Sequence, residues 1–240
     1  MRLAALLGTS LVDRSGRDLG VIHDVRLVKD GPSIGSFGAS YRLHSLLAGT
    51  PSVGVRLGTD REEVKGPWPV TTFFRRLHAG IVAVHWSEVW SIEEEAVRLR
   101  SSLPPGRREL GLEDRPAGGT FLDAGLQLLD RQIIDSDGRM AGKVDDLALE
   151  FSDEPDAPPN VVAIMLGPGA LAPRIGGRLG ASIAAALGRL ADEPHPNEIS
   201  FGVVKRIDNH VELTLPREEL GIMDLEDWVW TKVISRIPGA

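Results

Sequence analysis

The sequence predicts a mainly β protein: two small antiparallel β-barrels with a few short helices. Three observations point there. The chain repeats itself at a separation of 122 residues, short strand-like runs alternate with Gly- and Pro-rich turns, and no regular β–α alternation is present.

The repeat is carried by Leu7–Val28 and Leu129–Glu150. Of these 22 aligned pairs seven are identical, namely Leu7/Leu129, Asp13/Asp135, Gly16/Gly138, Arg17/Arg139, Gly20/Gly142, Asp24/Asp146 and Leu27/Leu149. Ordinary residue usage gives about one or two. A second block, Trp86-x-x-Val89-x-x-Ile92, recurs as Phe201-x-x-Val204-x-x-Ile207 at a separation of 115, so the copies differ in length between the blocks. Such a period is too long for a solenoid unit and fits a domain duplication.

Each copy opens on a β-hairpin. Leu11-Val12 and Ile133-Ile134 lead into Asp-x-x-Gly, where Asp13 or Asp135 can bond the backbone two residues on. Gly16 and Gly138 suit the left-handed position of the loop. Gly20 and Gly142 stand where a small barrel needs its strand to curl, and the slip between Val144 and Leu147 predicts a bulge or bend. Asp24 and Asp146 occupy one place in both copies, which favours a structural role as acceptors of turn backbone hydrogen bonds. Further strands are expected at Tyr41–Ala48, Ser52–Leu57 and Ile81–Trp86, and at Val161–Leu166, Ile199–Lys205 and His210–Leu215.

The expected domains are residues 1–97 and 122–240, joined by a linker over 98–121. That linker holds Pro104-Pro105-Gly106-Arg107-Arg108 and Pro116-Ala117-Gly118-Gly119, with helix at its start from Glu93–Arg100. Ser152–Asn160 predicts a solvated loop. Within the second domain an amphipathic helix is expected over 173–191, with Ile175, Leu179, Ile183 and Leu187 close to one face, and a second over Leu225–Ile237.

Composition narrows the function. The 240 residues carry 27 Lys+Arg against 34 Asp+Glu, a net charge of −7, and no cysteine. Disulfides, thiol nucleophiles, iron–sulfur clusters and cysteine-based zinc sites are therefore excluded. No apolar run is long enough for a membrane-spanning helix and the start lacks a cleavage site, so a soluble cytoplasmic protein is expected. Charge is uneven: residues 1–97 are neutral, 98–121 carry +2, and 122–240 carry −9. An acidic second half repels polyphosphates and disfavours general nucleic-acid binding there.

The hairpin pattern Val12-Asp13, Gly16-Arg17, Gly20, Ile22, Asp24-Val25, repeated as Ile134-Asp135, Gly138-Arg139, Gly142, Val144, Asp146-Leu147, resembles the PRC-barrel family. The family is named for the cytoplasmic domain of the photosynthetic reaction-centre H subunit, and recurs as the C-terminal domain of the 16S rRNA-maturation factor of the 30S ribosomal subunit. The motif covers about 22 residues per copy, and the strand count extends the likeness over most of the chain. The layout is similar to tandem PRC-barrel proteins of actinobacteria. The resemblance implies six-stranded barrels serving as adaptor or assembly surfaces, with no catalytic residues to carry over.

No catalytic constellation stands out. The six histidines, His23, His44, His78, His85, His195 and His210, show no metal-ligand spacing, Gly-x-Ser-x-Gly is absent, and Gly31–Ser40 lacks the Gly-Lys-Ser/Thr of a phosphate loop and predicts a flexible hairpin loop. Asp135-x-Asp137-Gly138 opens like a calcium loop but lacks its later ligands, so hairpin turn chemistry explains it. The carboxylates Asp130, Asp135, Asp137, Asp145, Asp146 and Glu150 could bind a divalent ion weakly or face a basic partner. No enzyme, metal or cofactor is therefore expected.

Expected partner contacts are Phe73, Phe74, Arg75 and Arg76, which join aromatics to a basic run, and Trp228 and Trp230, which cannot share one helix stripe. The expected function is a non-enzymatic adaptor that binds other proteins, with self-association open to it. The alternative is an RNA- or ribosome-associated factor, suggested by the family and by Phe73–His78 and Arg107-Arg108.

Overall fold

The computed structural model describes residues 1–49, 81–112, 120–154, 156–166 and 197–220. The expected strand at 52–57, both expected amphipathic helices and the contacts Phe73, Phe74, Arg75, Arg76, Trp228 and Trp230 lie outside the described residues. The protein is mainly β. In chain order the strands are β1 (Ser10–Val12), β2 (Asp18–Ile34), β3 (Gly38–Gly49), β4 (Val82–His85), β5 (Val89–Ile92), β6 (Ala96–Leu99), β7 (Glu109–Leu110), β8 (Phe121–Asp123), β9 (Gln132–Ile134), β10 (Met140–Lys143), β11 (Asp146–Glu150), β12 (Asn160–Leu166), β13 (Asn197–Ser200), β14 (Val204–Ile207) and β15 (Val211–Leu213). One helical turn, α1 (Ala124–Gln127), and 3-10 turns at Leu3–Ala5, Gly35–Phe37, Trp86–Glu88 and Phe201–Val203 complete the described elements.

The duplication is visible in the strand register. In the first half Asp24, Val25, Arg26, Leu27 and Val28 face Leu47, Leu46, Ser45, Leu43 and Arg42, with a bulge that skips His44. In the second, Asp146, Leu147, Ala148, Leu149 and Glu150 face Met165, Ile164, Ala163, Val161 and Asn160, with the same bulge skipping Val162. The next strand follows suit: Ser45 faces His85 as Ala163 faces Ser200. Trp86–Glu88 and Phe201–Val203 then form matching 3-10 turns, N-capped by His85 and Ser200, whose side chains accept from Ser87 N and Gly202 N. The last hairpins, β5–β6 and β14–β15, share a further bulge, at Trp90 and at Lys205. Leu11 pairs in parallel with Val97 as Ile133 does with Val211.

Three features differ from the sequence expectation. The β1/β6, β9/β15 and β4/β7 pairs are parallel, so the sheets are mixed rather than wholly antiparallel. Among the described residues no ladder joins β4 to β5 or β13 to β14. The described residues of the first half thus form a curled half-barrel sheet, which β11–β13 extend, and β10-β9-β15-β14 form a second sheet; closure into two barrels is not shown. And in and around 98–121, Ala96–Leu99 is strand β6 rather than helix, Leu103 is buried, and Glu109–Leu110 pairs with β4. Smaller departures follow from turn geometry. The expected strand 199–205 is broken by the 3-10 turn, and Gly31–Ser40 is hairpin strand closed by Gly35–Phe37.

One hydrophobic core runs through both repeats. Equivalent positions are buried in pairs: Leu11/Ile133, Ile22/Val144, Val25/Leu147, Leu27/Leu149, Leu46/Ile164, Val84/Ile199, Trp86/Phe201, Val97/Val211 and Leu99/Leu213. The curl needs glycine at one point in each copy. Gly20 has φ +103, and a Cβ there would lie 2.3 Å from the Gly49 carbonyl carbon. Gly16 also has a positive φ, +84, but nothing stands within 4 Å of its would-be Cβ.

Gly16→Ala is therefore expected to cost about 1–2 kcal/mol, the left-handed backbone penalty alone. Gly20→Ala adds a backbone clash, and its loss of stability in urea denaturation should be at least about twice as large.

Candidate functional site

The carboxylates that the two copies share form two kinds of site. The first closes each hairpin. Asp13 is 4% exposed, and its Oδ1 accepts from Ser15 N (2.9 Å), Arg17 N (3.1 Å) and Ser15 Oγ (2.6 Å). Its Oδ2 accepts from Leu103 N at 3.1 Å. Asp135 repeats this with Asp137 N (3.0 Å), Arg139 N (2.8 Å) and Arg217 N (3.2 Å). Leu103 and Arg217 sit four residues beyond the ends of β6 and β15, so each carboxylate fixes both its hairpin and the chain leaving its copy's last strand. Burial pushes both carboxyls up, but the N–H donors outweigh it and hold them below the usual Asp range. These are the turn bonds that the sequence leads one to expect, plus a long-range bond that local pattern does not show.

The second kind joins the copies. Asp24 Oδ1 accepts from Gly125 N (2.6 Å) and Oδ2 from Leu126 N (3.2 Å), both in the α1 turn that leads into the second copy. Asp146 Oδ1 accepts from Ala4 N (3.0 Å), in the 3-10 turn that leads into the first copy. Asp24 and Asp146 thus accept backbone bonds from the opposite repeat's leading turn as well as from the next residue of their own strand, Val25 N (2.7 Å) and Leu147 N (2.8 Å). The segments before those turns extend the exchange. Phe121–Asp123 pairs with Arg26–Val28, and Arg2 bridges to Ala148 while Met1 and Leu149 exchange two backbone bonds of 2.7 Å each.

Aromatic contacts are exchanged too. Phe201 packs edge-on to Phe37 at 5.1 Å, over the β2–β3 hairpin of the other repeat. Trp86 donates its indole N–H to Ala157 O (3.2 Å) and lies 6.0 Å from Phe151, over the β11–β12 loop of the other repeat. Arg42 and Asn160, equivalent positions of β3 and β12, pair with one another. The repeats are accordingly related by a pseudo-two-fold axis through that pair.

Burial, reinforced by the neighbouring Asp123 carboxylate, raises Asp24 to about 6 despite its backbone donors, while Arg26 holds Asp123 at 2.8 Å. Asp146 is 1% exposed.

Other titratable groups of the described residues gather in smaller sets. His44, buried on β3, stands edge-on to His85 (4.7 Å) and to Phe121 (4.9 Å). Burial lowers His85, which Glu88 partly opposes, and its Nδ1 bonds Ser87 Oγ at 2.8 Å. Asp135, Asp137 and Glu218 bring carboxylate oxygens within 4.8 Å of one another. Arg139 bonds Glu218 at 3.0 Å and Arg217 lies 3.6 Å from it, so guanidinium groups offset this cluster. Among the described residues, no helix is long and apolar enough to cross a membrane.

One surface residue escaped the sequence reading. Trp90 on β5 is 67% exposed, with the Arg100 guanidinium 5.2 Å from its ring. A signal was present: at a separation of 115 Trp90 aligns with Lys205, a residue type that stays in water. No protein-family model matches the chain, and a search of curated proteins finds no relative.

Because the folded state holds a proton on Asp24 more tightly than the unfolded chain, Asp24 favours folding below about pH 4, and that advantage is lost as pH rises through 6. Asp24→Ala orphans N–H donors at every pH, but only at neutral pH does it also relieve a buried charge. Its destabilisation, read by urea titration, should be about 2 kcal/mol larger at pH 4.5 than at pH 7.5. In the hairpin sites, Asp13→Ala is expected to raise hydrogen exchange at the Leu103 amide, and Asp135→Ala at the Arg217 amide. An unchanged rate at both would refute the long-range role of those carboxylates.

Proposed function

We propose that this protein is a non-enzymatic PRC-barrel adaptor or assembly protein of the cytoplasm that works by binding other proteins. One observation carries the reading: the carboxylates repeated in both copies are all engaged in holding the fold. Asp13, Asp135, Asp24 and Asp146 accept backbone N–H groups. Gly16, Gly138, Gly20 and Gly142 take positive φ. A duplicated site for chemistry would leave some shared carboxylate, hydroxyl or imidazole facing a cleft. The repeated residues build a scaffold, and what distinguishes the copies lies on their surfaces, where partners are recognised.

The PRC-barrel reading rests on the hairpin motif and on the common strand order of the two halves, with β5-β6-β1-β2-β3-β4 answered by β14-β15-β9, β10 and β11-β12-β13. Affinity purification of the full chain from native cells tests the function. A stable protein complex is expected, with no ribosome co-sedimentation at low salt. Ribosome binding that fades as salt rises would replace the adaptor with an RNA-associated factor.

A further inference from the structure

We propose that the β5–β6 hairpin takes a second copy of this chain, related to the first by a two-fold axis at Trp90. Trp90 occupies a β-bulge in the strand at the end of the sheet path, with no strand beyond β5 among the described residues. Bulges re-aim side chains, and this one presents the indole outward, 67% exposed. The pseudo-equivalent bulge carries Lys205, with a side chain 65% exposed, next to Arg206 and in reach of Glu212. Charge, Lys above all, is how a sheet edge is kept from association. The same architecture thus has one guarded edge and one edge that carries the residue type most enriched at interface centres.

The occupant follows from the hairpin's charge order. Its tip, Glu93-Glu94-Glu95, is exposed and acidic beyond the ion pair that Glu93 makes with Arg98 of the same hairpin at 2.7 Å. Its base carries Arg100, which lies over Trp90 and is ion-paired to Asp156, and the exposed Arg14, tied there by its backbone N–H to Ser101 O at 3.2 Å. A four-residue strand separates tip from base by about 13 Å. A two-fold axis through the middle of β5 sets indole against indole and lays each copy's acidic tip over the other's basic base. Each charge contact is made twice, and the contact closes at two copies. The hairpin is therefore complementary to itself. This inference stands apart from the adaptor reading, since self-association neither requires nor excludes a further partner.

Sedimentation velocity on the full chain, from micromolar to sub-millimolar concentration, tests it. A monomer–dimer equilibrium is expected that weakens as salt rises. Trp90→Lys, which installs the residue of the second repeat, should weaken dimerisation by about tenfold or more with an unchanged thermal melt. Because the chain has no cysteine, Ser91→Cys should give a disulfide-linked dimer on mild oxidation. Arg206→Cys, at the equivalent place on β14, should not. A chain that stays monomeric throughout, a Trp90→Lys dimer as tight as the wild type, or equal cross-linking at both positions would overturn the proposal. So would a monomeric chain that holds a different protein through Trp90. If Trp90→Lys melts early, the two cysteine variants decide alone.

Discussion

A carboxylate has about four acceptor sites and no donor, so once taken from water it must be surrounded by N–H groups or lose its charge. Four such carboxylates organise this molecule, and each meets backbone that secondary structure leaves unsatisfied. Asp13 and Asp135 take the N–H groups of their hairpin loops and of the chain leaving the last strand. Asp24 and Asp146 take N–H groups from a helical turn, whose first donors have no partner within the turn. The first pair closes each repeat upon itself and the second ties each repeat to the other. The strands, bulges and core are arranged around those fixed points.

The tie explains why the core is continuous. A half-barrel curled from a few short strands exposes the flank of β2, or of β11, once the first hairpin strand has ended. In this chain that flank is covered by the leading segment of the opposite repeat, Phe121–Asp123 on one side and Met1–Arg2 on the other. Gly35 and Gly202 bring the backbones together so closely that a Cβ on Gly35 would lie 2.4 Å from the Gly202 carbonyl oxygen. Phe201 and Trp86 then each fill the gap beside the other repeat's β-hairpin or loop. Covering exposed edges and sharing apolar surface compensates for repeats that are too small to bury much on their own.

Much of this was legible in the sequence, and what was not has a physical reason. The hairpins, their Asp and Gly residues and the duplication depend on contacts a few residues apart, which local pattern encodes. The match of Trp86 to Phe201 and the strand within His210–Leu215 were legible for the same reason. The bonds from Asp24 to Gly125 and from Asp146 to Ala4 span 101 and 142 residues, and no local period records them. The parallel β1/β6 pair is of the same kind. Glu93–Arg100 was misread as helix because Glu and Arg favour helices intrinsically; the buried Val97 and Leu99 on alternate positions, paired to β1 and β5, override that preference. Among candidate surfaces, attention to aromatic–basic runs passed over Trp90, because a single exposed Trp on a strand differs from a core Trp only by its place in the pleat.

Pseudo-symmetry also locates where the copies have been free to diverge. At one clasp the residue before the leading turn is Asp123, facing Arg26; at the other it is Arg2, facing Ala148. The turn residue that donates to the carboxylate is Gly125 at the first clasp and Ala4 at the second, and a Cβ on Gly125 would stand 3.0 Å from the Asp24 carboxyl carbon. Glycine thus lets Asp24 approach the turn backbone closely, while a second negative charge at Asp123 opposes its ionisation. Asp24 takes the N–H groups of Gly125 and Leu126 and Asp146 that of Ala4, and the residue before the turn is acidic at the first clasp and basic at the second. Asp24 therefore titrates at about 6, with its own burial as the main cause and the flanking Asp123 carboxylate adding to it.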